Sequence, residues 1–325
     1  MLQPFAHLRM NGWARVSAFT LAALVLTAVA QEIPKSSLFD SGRLLSDLRI
    51  LSSDEMQGRR TGTPGGDRAR AFIVDRFKES GLSPVGASFE HDFQLGFRGN
   101  TAAGRGVNVI GLIKGRRQPN RYIVVSAHYD HLGVRNGQVF NGADDNASGT
   151  ASLFTLAAHF AANQPENSLL FVAFDAEEIG RLGSVAFVRN PPVERERLLL
   201  NINIDMIGRE PANRLFVVGT AREPALRPII EALIPKVPVR LLVGHEDPRQ
   251  PEDWTQDSDH YSFMQAGIPA LYFGVEDYDQ HHKSTDDYET MSYGFYVRSV
   301  ETLVLAIEQF DANLDGVAAA RKTTR

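Results

Sequence analysis

Short apolar runs alternate with longer amphipathic segments along most of this chain of 325 residues. The apolar runs predict strands at 107–113, 122–127, 169–174, 198–204, 215–218 and 270–273. The amphipathic segments predict helices at 66–80, 148–162, 179–188, 223–233, 258–266 and 295–313. Near-continuous apolar strands that alternate with amphipathic helices are typical of a parallel sheet covered on both faces. The pattern therefore predicts an α/β fold, a single three-layer domain with a mostly parallel central sheet flanked by helices.

The first thirty residues differ from this pattern. Arg9 and Arg15 precede an uncharged stretch of fifteen residues, 16–30, that ends in the sequence AVA. A basic segment, an apolar segment and an A-x-A end are typical of a cleavable secretory signal peptide, and the stretch is short for a membrane span. We expect residues 1–30 to be a signal peptide and residues 31–325 to form one exported domain, periplasmic or extracellular. Met10 would give this signal a more compact start.

Charge and composition narrow the chemistry of this domain. Residues 1–30 hold two of the 34 basic residues and none of the 39 acidic ones, which leaves residues 31–325 with a net charge of about −7. An acidic chain disfavours nucleic acid and anionic membranes as partners. The chain has no cysteine. Any metal site must therefore use His, Asp and Glu, which suit zinc and other divalent first-row metals.

Metal-binding side chains follow most of the predicted strands. In open α/β sheets, ligands bind beyond the carboxyl ends of the strands. No metal-binding segment follows the predicted strand at 215–218. The metal-binding segments that follow other predicted strands are HYDH at 128–131, GADDNASG at 142–149, DAEE at 175–178, Asp205 and HHKSTD at 281–286. Their shared position predicts a cluster of histidines and carboxylates at one edge of the sheet.

The densest of these segments places Asp175, Glu177 and Glu178 within four positions. Carboxylates this close repel one another unless they share a cation or one of them holds a proton. Two divalent cations would be balanced by three carboxylate ligands and one bridging hydroxide, with two imidazoles completing the coordination. Such metal pairs lie about 3.5–4 Å apart and activate water. The sequence thus indicates a dinuclear metal centre.

The same motifs carry a resemblance to a known family. In chain order they are SAHYDH, NGADDNASG, FDAEEIGRLGS, NIDMIG, SDHYSF and HHKSTDD, within residues 44–313. Together they resemble the co-catalytic zinc aminopeptidases of metallopeptidase clan MH. Relatives in this clan include bacterial secreted aminopeptidases, glutamate carboxypeptidase, glutaminyl cyclase and the non-enzymatic transferrin receptor. Ala176, His281 and Ser284 stand where many relatives carry Gly, Tyr and Pro.

The resemblance implies a role for each matching residue and a zinc-exopeptidase-like fold with two zinc ions per chain. Asp145 would bridge the two metals, and a cis peptide bond would follow it. Glu177 would be the general base, and Asp130 would orient the imidazole of His128. The implied metal ligands are His128, Asp145, Glu178, Asp205 and His282.

Other polar residues near the motifs receive simpler interpretations. His131 and His159 are interpreted as surface or packing residues, and Asp144 and Asp175 as structural acids that form hydrogen bonds. His281 could exchange roles with His282. His260 could approach the site or belong to a helix start at Ser258. The glycine-rich segment 58–66 lacks a P-loop lysine and is interpreted as a turn into the following helix.

The leading functional hypothesis is an exported aminopeptidase that hydrolyses N-terminal residues from peptide substrates. The alternative is a glutaminyl-peptide cyclotransferase, which in this clan uses one zinc and the same glutamate. A binding protein similar to the transferrin receptor would have lost ligands, whereas all of them are present here. The loop 243–257, rich in proline and acids, is predicted to lie near the functional face. No oligomeric state follows from the sequence.

Overall fold

The computed structural model describes residues 34–96 and 104–323, so the predicted signal peptide lies outside the described residues. The strands are Ser83–Pro84 (β1), Glu90–Gln94 (β2), Arg105–Ile113 (β3), Gln118–His128 (β4), Gly133–Arg135 (β5), Gln138–Phe140 (β6), Asn167–Phe174 (β7), Leu198–Ile204 (β8), Arg214–Val218 (β9), Arg240–Val243 (β10) and Ala270–Gly274 (β11). The α-helices are Ser41–Leu51 (α1), Pro64–Glu79 (α2), Gly149–Ala162 (α3), Leu182–Arg189 (α4), Arg227–Leu233 (α5), His260–Gln265 (α6) and Tyr293–Thr323 (α7).

Nine of these strands form one mixed sheet in the order β1-β3-β7-β4-β8-β11-β9-β10, with β2 also paired to β3. The four central strands, β7, β4, β8 and β11, run parallel. On either side of them, β3 and β9 run antiparallel to their central neighbours. The predicted parallel arrangement is therefore confirmed for the centre of the sheet and not for its flanks. Because β9 is reversed, its carboxyl end lies at the opposite edge, which explains why 215–218 is followed by no metal-binding residue.

Both faces of the sheet are covered, as the apolar runs predict. In β7, Leu169 and Phe171 pack into one apolar cluster, and Leu170 and Val172 pack into another on the opposite face. Successive strand residues point to opposite faces, so a strand buried on both sides is mostly apolar. The polar exceptions in the fully buried β8, Asn201 and Asn203, donate side-chain hydrogen bonds to Ser126 and Ser258. Helices α1, α2, α3, α5 and α7 contribute to the first cluster, and α4 and α6 to the second. The predicted three-layer architecture is confirmed.

Helices α3, α4, α5 and α6 begin one to four residues later than their sequence patterns predict, and the starts of α3 and α4 shape the site. Helix α3 begins at Gly149, because Ala143–Ser148 forms a wider turn before it. Helix α4 begins at Leu182, because Gly180 and Arg181 have φ of 114° and 58°, outside the right-handed helical region. In each case the residues just before the helix form a turn at the carboxyl edge of the sheet.

None of the helices in the described part of the chain combines the length and the apolarity needed to cross a membrane.

Candidate active site

The predicted ligands converge at the carboxyl edge of the four central strands. His128 is the last residue of β4, and Asp205 directly follows β8. Asp145 lies in the turn before α3, Glu178 lies in the turn after β7, and His282 lies in the loop after β11. The short distances among these five side chains divide them into two groups that share Asp145.

The first group, here called the inner position, consists of His128, Asp205 and Oδ1 of Asp145. Nε2 of His128 lies 3.2 Å from Oδ1 of Asp205 and 3.4 Å from Oδ1 of Asp145. All three residues are buried. Although burial opposes protonation, the carboxylates, Asp205 foremost, raise the pKa of His128 well above its ordinary value. The inner position therefore attracts positive charge.

The second group, here called the outer position, consists of His282, Glu178 and Oδ2 of Asp145. Nε2 of His282 lies 3.0 Å from Oε2 of Glu178 and 3.2 Å from Oδ2 of Asp145. The side chain of His282 is 46% exposed. Interaction with the carboxylates of Asp145 and Glu178 raises the pKa of His282 to about 10. His281 lies farther from the shared carboxylate, at 3.6 Å from Oδ2 of Asp145, so His282 is the better placed of the two.

The donor atoms in both positions have the spacing of zinc ligands. A tetrahedral zinc ion with bonds of about 2.0–2.1 Å holds its ligand atoms about 3.3–3.4 Å apart, close to the four distances of 3.0–3.4 Å measured here. Oδ2 of Asp145 is buried and accepts no hydrogen bond from the described residues. Buried polar atoms without partners are rare, and a metal ion would satisfy this one. The residues therefore fit the metal that the sequence motifs imply.

The turn after β7 sends its two glutamates in different directions. Ala176 has φ of 61°, the left-handed conformation that glycine adopts most readily. After this turn, Glu177 lines the cleft, and Glu178 points to His282 and His131. Burial, together with the carboxylates Asp259 and Asp205, raises the pKa of Glu177 well above its ordinary value, although His128 opposes this.

Asp130 supports the site through its main chain and its side chain. Nδ1 of His128 lies 3.1 Å from the main-chain oxygen of Asp130 and 3.7 Å from its carboxylate. The carboxylate instead accepts hydrogen bonds from the main-chain N–H groups of Glu177 and Glu178, at 2.9 and 3.3 Å. The main-chain oxygen of Asp130 is thus the group placed to orient the imidazole of His128, whereas its carboxylate holds the turn of the glutamates.

A cleft of about 360 Å³ opens onto both positions. Its wall combines metal-binding, aromatic and charged side chains: His128, Asp145, Glu177, Arg181, Asp205, Met206, Trp254, Gln256, Asp257, Tyr272, Val275, Asp277, Tyr278, His281 and His282. Trp254, Gln256 and Asp257 come from the end of the loop 243–257, so the prediction that this loop lies near the functional face is confirmed.

Comparison with known proteins identifies the family. Residues 108–307 match the sequence profile of peptidase family M28. The chain belongs to peptidase family M28. A probable zinc metalloprotease of Pyrenophora tritici-repentis is 27% identical over 229 residues, which cover 57% of this chain and 50% of that relative. The chain spans half or less of the length of the first curated relatives it matches.

Two solved structures show how the M28 fold of this chain compares with known folds. A zinc aminopeptidase from Bacillus subtilis has a TM-score of 0.66 at 18% identity, covering 86% of this chain and 96% of that chain. The glutaminyl cyclase of Porphyromonas gingivalis has a TM-score of 0.68 at 17% identity, covering 84% of this chain and 99% of that chain. Identities this low establish the shared fold alone. The peptide bond between Asp145 and Asn146 is cis, as the resemblance to the clan predicts.

A buried arginine outside the M28 match supports the loop that carries Asp145. The guanidinium of Arg59 donates hydrogen bonds to the main-chain oxygens of Tyr129, Asn141 and Gly142, at 2.6–2.9 Å. Burial lowers the pKa of Arg59 to about 10, and Asp145 is the strongest of the carboxylates that oppose this, so the guanidinium stays charged at neutral pH. The role of Arg59 was not predicted from the sequence, because its partners are far away along the chain.

The rest of the segment 58–66 makes the predicted turn. Thr63 caps the amino end of α2, and Pro64 is its first residue, so the interpretation as a turn into a helix is confirmed. Thr61 adds a contact to the site, because its hydroxyl donates a hydrogen bond of 2.7 Å to Oδ1 of Asp175 and lies 3.3 Å from Oδ2 of Asp130.

The interpretation of His131 as a surface or packing residue is wrong. Its side chain is fully buried, and Nδ1 lies 2.6 Å from Oε1 of Glu178 and 3.6 Å from Oδ2 of Asp145. Its place in HYDH, three residues after His128, indicates proximity to the site but not a contact with Glu178. His159, by contrast, is a packing residue whose ring nitrogens face the main-chain oxygen of Leu38 and the carboxylate of Glu308.

The remaining candidates support the site without facing the cleft. Asp144 accepts a hydrogen bond of 2.7 Å from the N–H of Gly208, and Asp175 accepts one of 3.0 Å from the N–H of Val107. Both residues are therefore structural acids, as predicted. His260 is fully buried and stacks on Tyr272 at 5.0 Å. Burial lowers the pKa of His260 to about 3, so this ring is neutral and forms part of the packing against a cleft residue.

Proposed function

We propose that this chain is a zinc-dependent aminopeptidase that removes N-terminal residues from peptides. The observation that carries the proposal is the position of Asp145, whose two oxygens face two separate groups of donors at zinc-ligand spacing. Membership of family M28 and the cleft beside Glu177 agree with it. His128 and Asp205 would hold one zinc ion, His282 and Glu178 the second, and Asp145 both.

Zinc bound at these positions would polarise the scissile carbonyl and lower the pKa of a bound water to about 7. Glu177 would take a proton from the attacking water as its oxygen bonds to the carbonyl carbon. As the C–N bond breaks, the same carboxyl group would deliver the proton to the leaving amine.

The cleft also contains groups that suit an N-terminal residue. Asp257 and Asp277 line it, but Asp277 forms an ion pair with Arg209. We infer that Asp257 is the carboxylate available to the free α-amine of a substrate. Trp254, Tyr272 and Tyr278 would contact the side chain of the N-terminal residue, which favours apolar substrates.

A glutaminyl-peptide cyclotransferase is the second candidate. The likeness to the P. gingivalis glutaminyl cyclase supports it, since this fold comparison is as good as that with the aminopeptidase. A cyclotransferase of this clan is expected to use one zinc ion. The complete donor sets of both the inner and the outer position favour the two-zinc peptidase instead.

The test is an assay of amine release from a series of aminoacyl-nitroanilides, run beside cyclisation of a peptide with N-terminal glutamine. We expect release from apolar aminoacyl substrates, two zinc ions per chain, loss of activity with a chelator and its return with added zinc. One tightly bound zinc ion together with efficient cyclisation would overturn the proposal in favour of the cyclotransferase.

We propose further that the protein is exported, because residues 1–30 have the composition of a signal peptide. N-terminal sequencing of the exported protein should begin at Gln31 or a neighbouring residue. Full-length protein retained in the membrane would contradict the proposal.

A further inference from the structure

We infer that His131 is a positioning residue that fixes how Glu178 presents its carboxylate to the outer position. The inference rests on the proposed zinc site. Nδ1 of His131 lies 2.6 Å from Oε1 of Glu178, and Nε2 of His282 lies 3.0 Å from Oε2 of the same carboxylate. Each oxygen of Glu178 therefore has a different neighbour. With Oε1 held by His131, Oε2 alone faces the outer position.

The distances separate a hydrogen-bond donor from a metal ligand. Two ligand atoms of one tetrahedral zinc ion lie about 3.3–3.4 Å apart, whereas a charge-assisted N–H···O hydrogen bond spans about 2.7–2.9 Å. The separation of 2.6 Å between Nδ1 of His131 and Oε1 of Glu178 belongs with the hydrogen bond. His131 is thus placed as a partner of the ligand, as metal-binding carboxylates commonly require.

The backbone of Gly142 holds the imidazole of His131 in this position. Gly142 has φ of 54°, and a Cβ atom added to it would lie 2.5 Å from Cδ2 of His131. Only glycine leaves room for the ring at this point. The main-chain oxygen of Gly142 in turn accepts a hydrogen bond of 2.9 Å from the buried Arg59. The ring therefore lies between a fixed loop and the carboxylate of Glu178.

The tautomer of His131 follows from its two nitrogens. Donation to Glu178 requires a hydrogen on Nδ1. Nε2 is buried and has no hydrogen-bond partner among the described residues. A neutral ring with its hydrogen on Nδ1 meets both conditions, because it leaves no buried N–H group without an acceptor. The donor at Nδ1 is thus the feature to test.

The test compares His131→Leu, which removes the donor, with His131→Asn, whose amide can place an N–H group near the position of Nδ1. Zinc dissociation constants are measured by competition with a chelator in the wild-type protein and both variants. We expect His131→Leu to lower the affinity for one of the two zinc ions by about 10–100-fold and to leave the affinity for the other unchanged. His131→Asn should stay within about threefold of the wild type, a difference of less than 1 kcal/mol.

His159→Leu is the matched control, because His159 is also a buried histidine but forms its hydrogen bonds with Leu38 and Glu308. It should leave both zinc affinities unchanged. Thermal unfolding of the zinc-free proteins checks the fold. If His131→Leu does not fold, His131→Gln replaces it, because the glutamine amide corresponds in position to Nε2 and not to Nδ1.

Three results would overturn the inference. Equal losses in His131→Asn and His131→Leu would make His131 a ligand or a packing residue. Unchanged zinc affinity in His131→Leu would mean that Glu178 binds zinc without help from His131. An equal loss of affinity for both zinc ions would indicate a general loss of structure. Failure of the proposed function has a different result, since a wild-type protein that binds fewer than two zinc ions would contradict the two-zinc site before any variant is compared.

Discussion

The inner and outer positions use similar donors but differ in how the fold holds them. His128 and Asp205 of the inner position come from the ends of adjacent parallel strands and are 1% and 6% exposed. His282 of the outer position lies in a loop, has φ of 58° and has a side chain that is 46% exposed. Strand ends in a packed sheet change position less readily than an exposed loop. We expect the inner position to retain its metal and the outer position to exchange it.

The outer position compensates for its exposure with polar supports. The carboxylate of Asp286, in the same loop as His282, accepts hydrogen bonds of 3.0 Å from the N–H groups of both Asp144 and Asp145. Arg209 pairs with Asp286 at 2.7 Å. Thus the loop with His282 is tied directly to the turn that carries the shared carboxylate. The comparison indicates that packing holds the inner position and hydrogen bonds to neighbouring carboxylates hold the outer one.

The largest effect is expected for Asp145, the residue common to both positions. Asp145→Ala removes an oxygen ligand from each position, so we expect fewer than two zinc ions per chain. The polarisation that a metal supplies is worth several kcal/mol, so kcat/KM should fall by about 10⁴-fold or more. Zinc analysis and steady-state kinetics test this. Two tightly bound zinc ions in the variant would show that the two positions do not share this carboxylate.

The next effect separates the adjacent glutamates. Glu177→Gln keeps the shape of the side chain but removes the proton acceptor, so kcat should fall by about 10²–10⁴-fold while both zinc ions remain. KM should change little, because the lost interaction belongs to the transition state. Glu178→Ala should instead lose affinity for one zinc ion, and excess zinc should partly restore its activity.

Metal analysis and kinetics on both variants decide between these roles. Loss of a zinc ion in Glu177→Gln with both retained in Glu178→Ala would mean that the two roles are reversed. A decrease of less than tenfold in both variants would place the active site elsewhere.

The difference between the two positions also explains which site residues could be predicted from the sequence. His128 and Asp205 directly follow largely apolar runs, and a buried parallel strand must deliver its next residue to the ligand edge. Their convergence was therefore predictable from the pattern. His131 was not, because its contact with Glu178 depends on the path of the loop after β4 and on the space beside Gly142. The spacing of residues along the chain predicts neither the path of this loop nor the space beside Gly142.

Helix α1 and the direction of β9 show the same difference between what the sequence could and could not predict. Helix α1 was not predicted, although the helical spacing of Leu44, Leu48 and Leu51 and the capping residue Asp40 are present in the sequence, so this helix was within reach of the sequence. The reversal of β9 was not, because an apolar run of four residues has the same composition in either direction. Arg59 was out of reach for a third reason, since its main-chain partners carry no side-chain signature.

A smaller effect is expected when one histidine is removed from each position. His282→Ala should lower the affinity for one zinc ion by about 100-fold, the upper end of the loss measured when a hydrogen-bond partner of a metal ligand is removed. Millimolar zinc should restore part of the activity. His128→Ala should resist such rescue, because it leaves buried carboxylates of the inner position without their imidazole. Chelator competition and activity at several zinc concentrations measure both. Rescue of His128→Ala but not of His282→Ala would reverse the comparison between the positions.

The smallest effect is expected at Thr61, which touches the supports of the site but neither metal position. Thr61→Val removes the hydrogen bond to Asp175 and should lower the free energy of unfolding by about 1–2 kcal/mol. Asp130 keeps its hydrogen bonds from Glu177 and Glu178, so kcat/KM should stay within about tenfold of the wild type, or ~1.4 kcal/mol, with both zinc affinities unchanged. Thr302→Val is the control, because the hydroxyl of Thr302 donates a hydrogen bond of 2.8 Å within α7, to the main-chain oxygen of Arg298, and to no described residue of the site. Chemical denaturation and kinetics measure both variants. A loss of activity in Thr61→Val as large as that in Glu177→Gln, with stability matching the control, would mean that the turn of the glutamates depends on this hydroxyl more than on the carboxylate of Asp130.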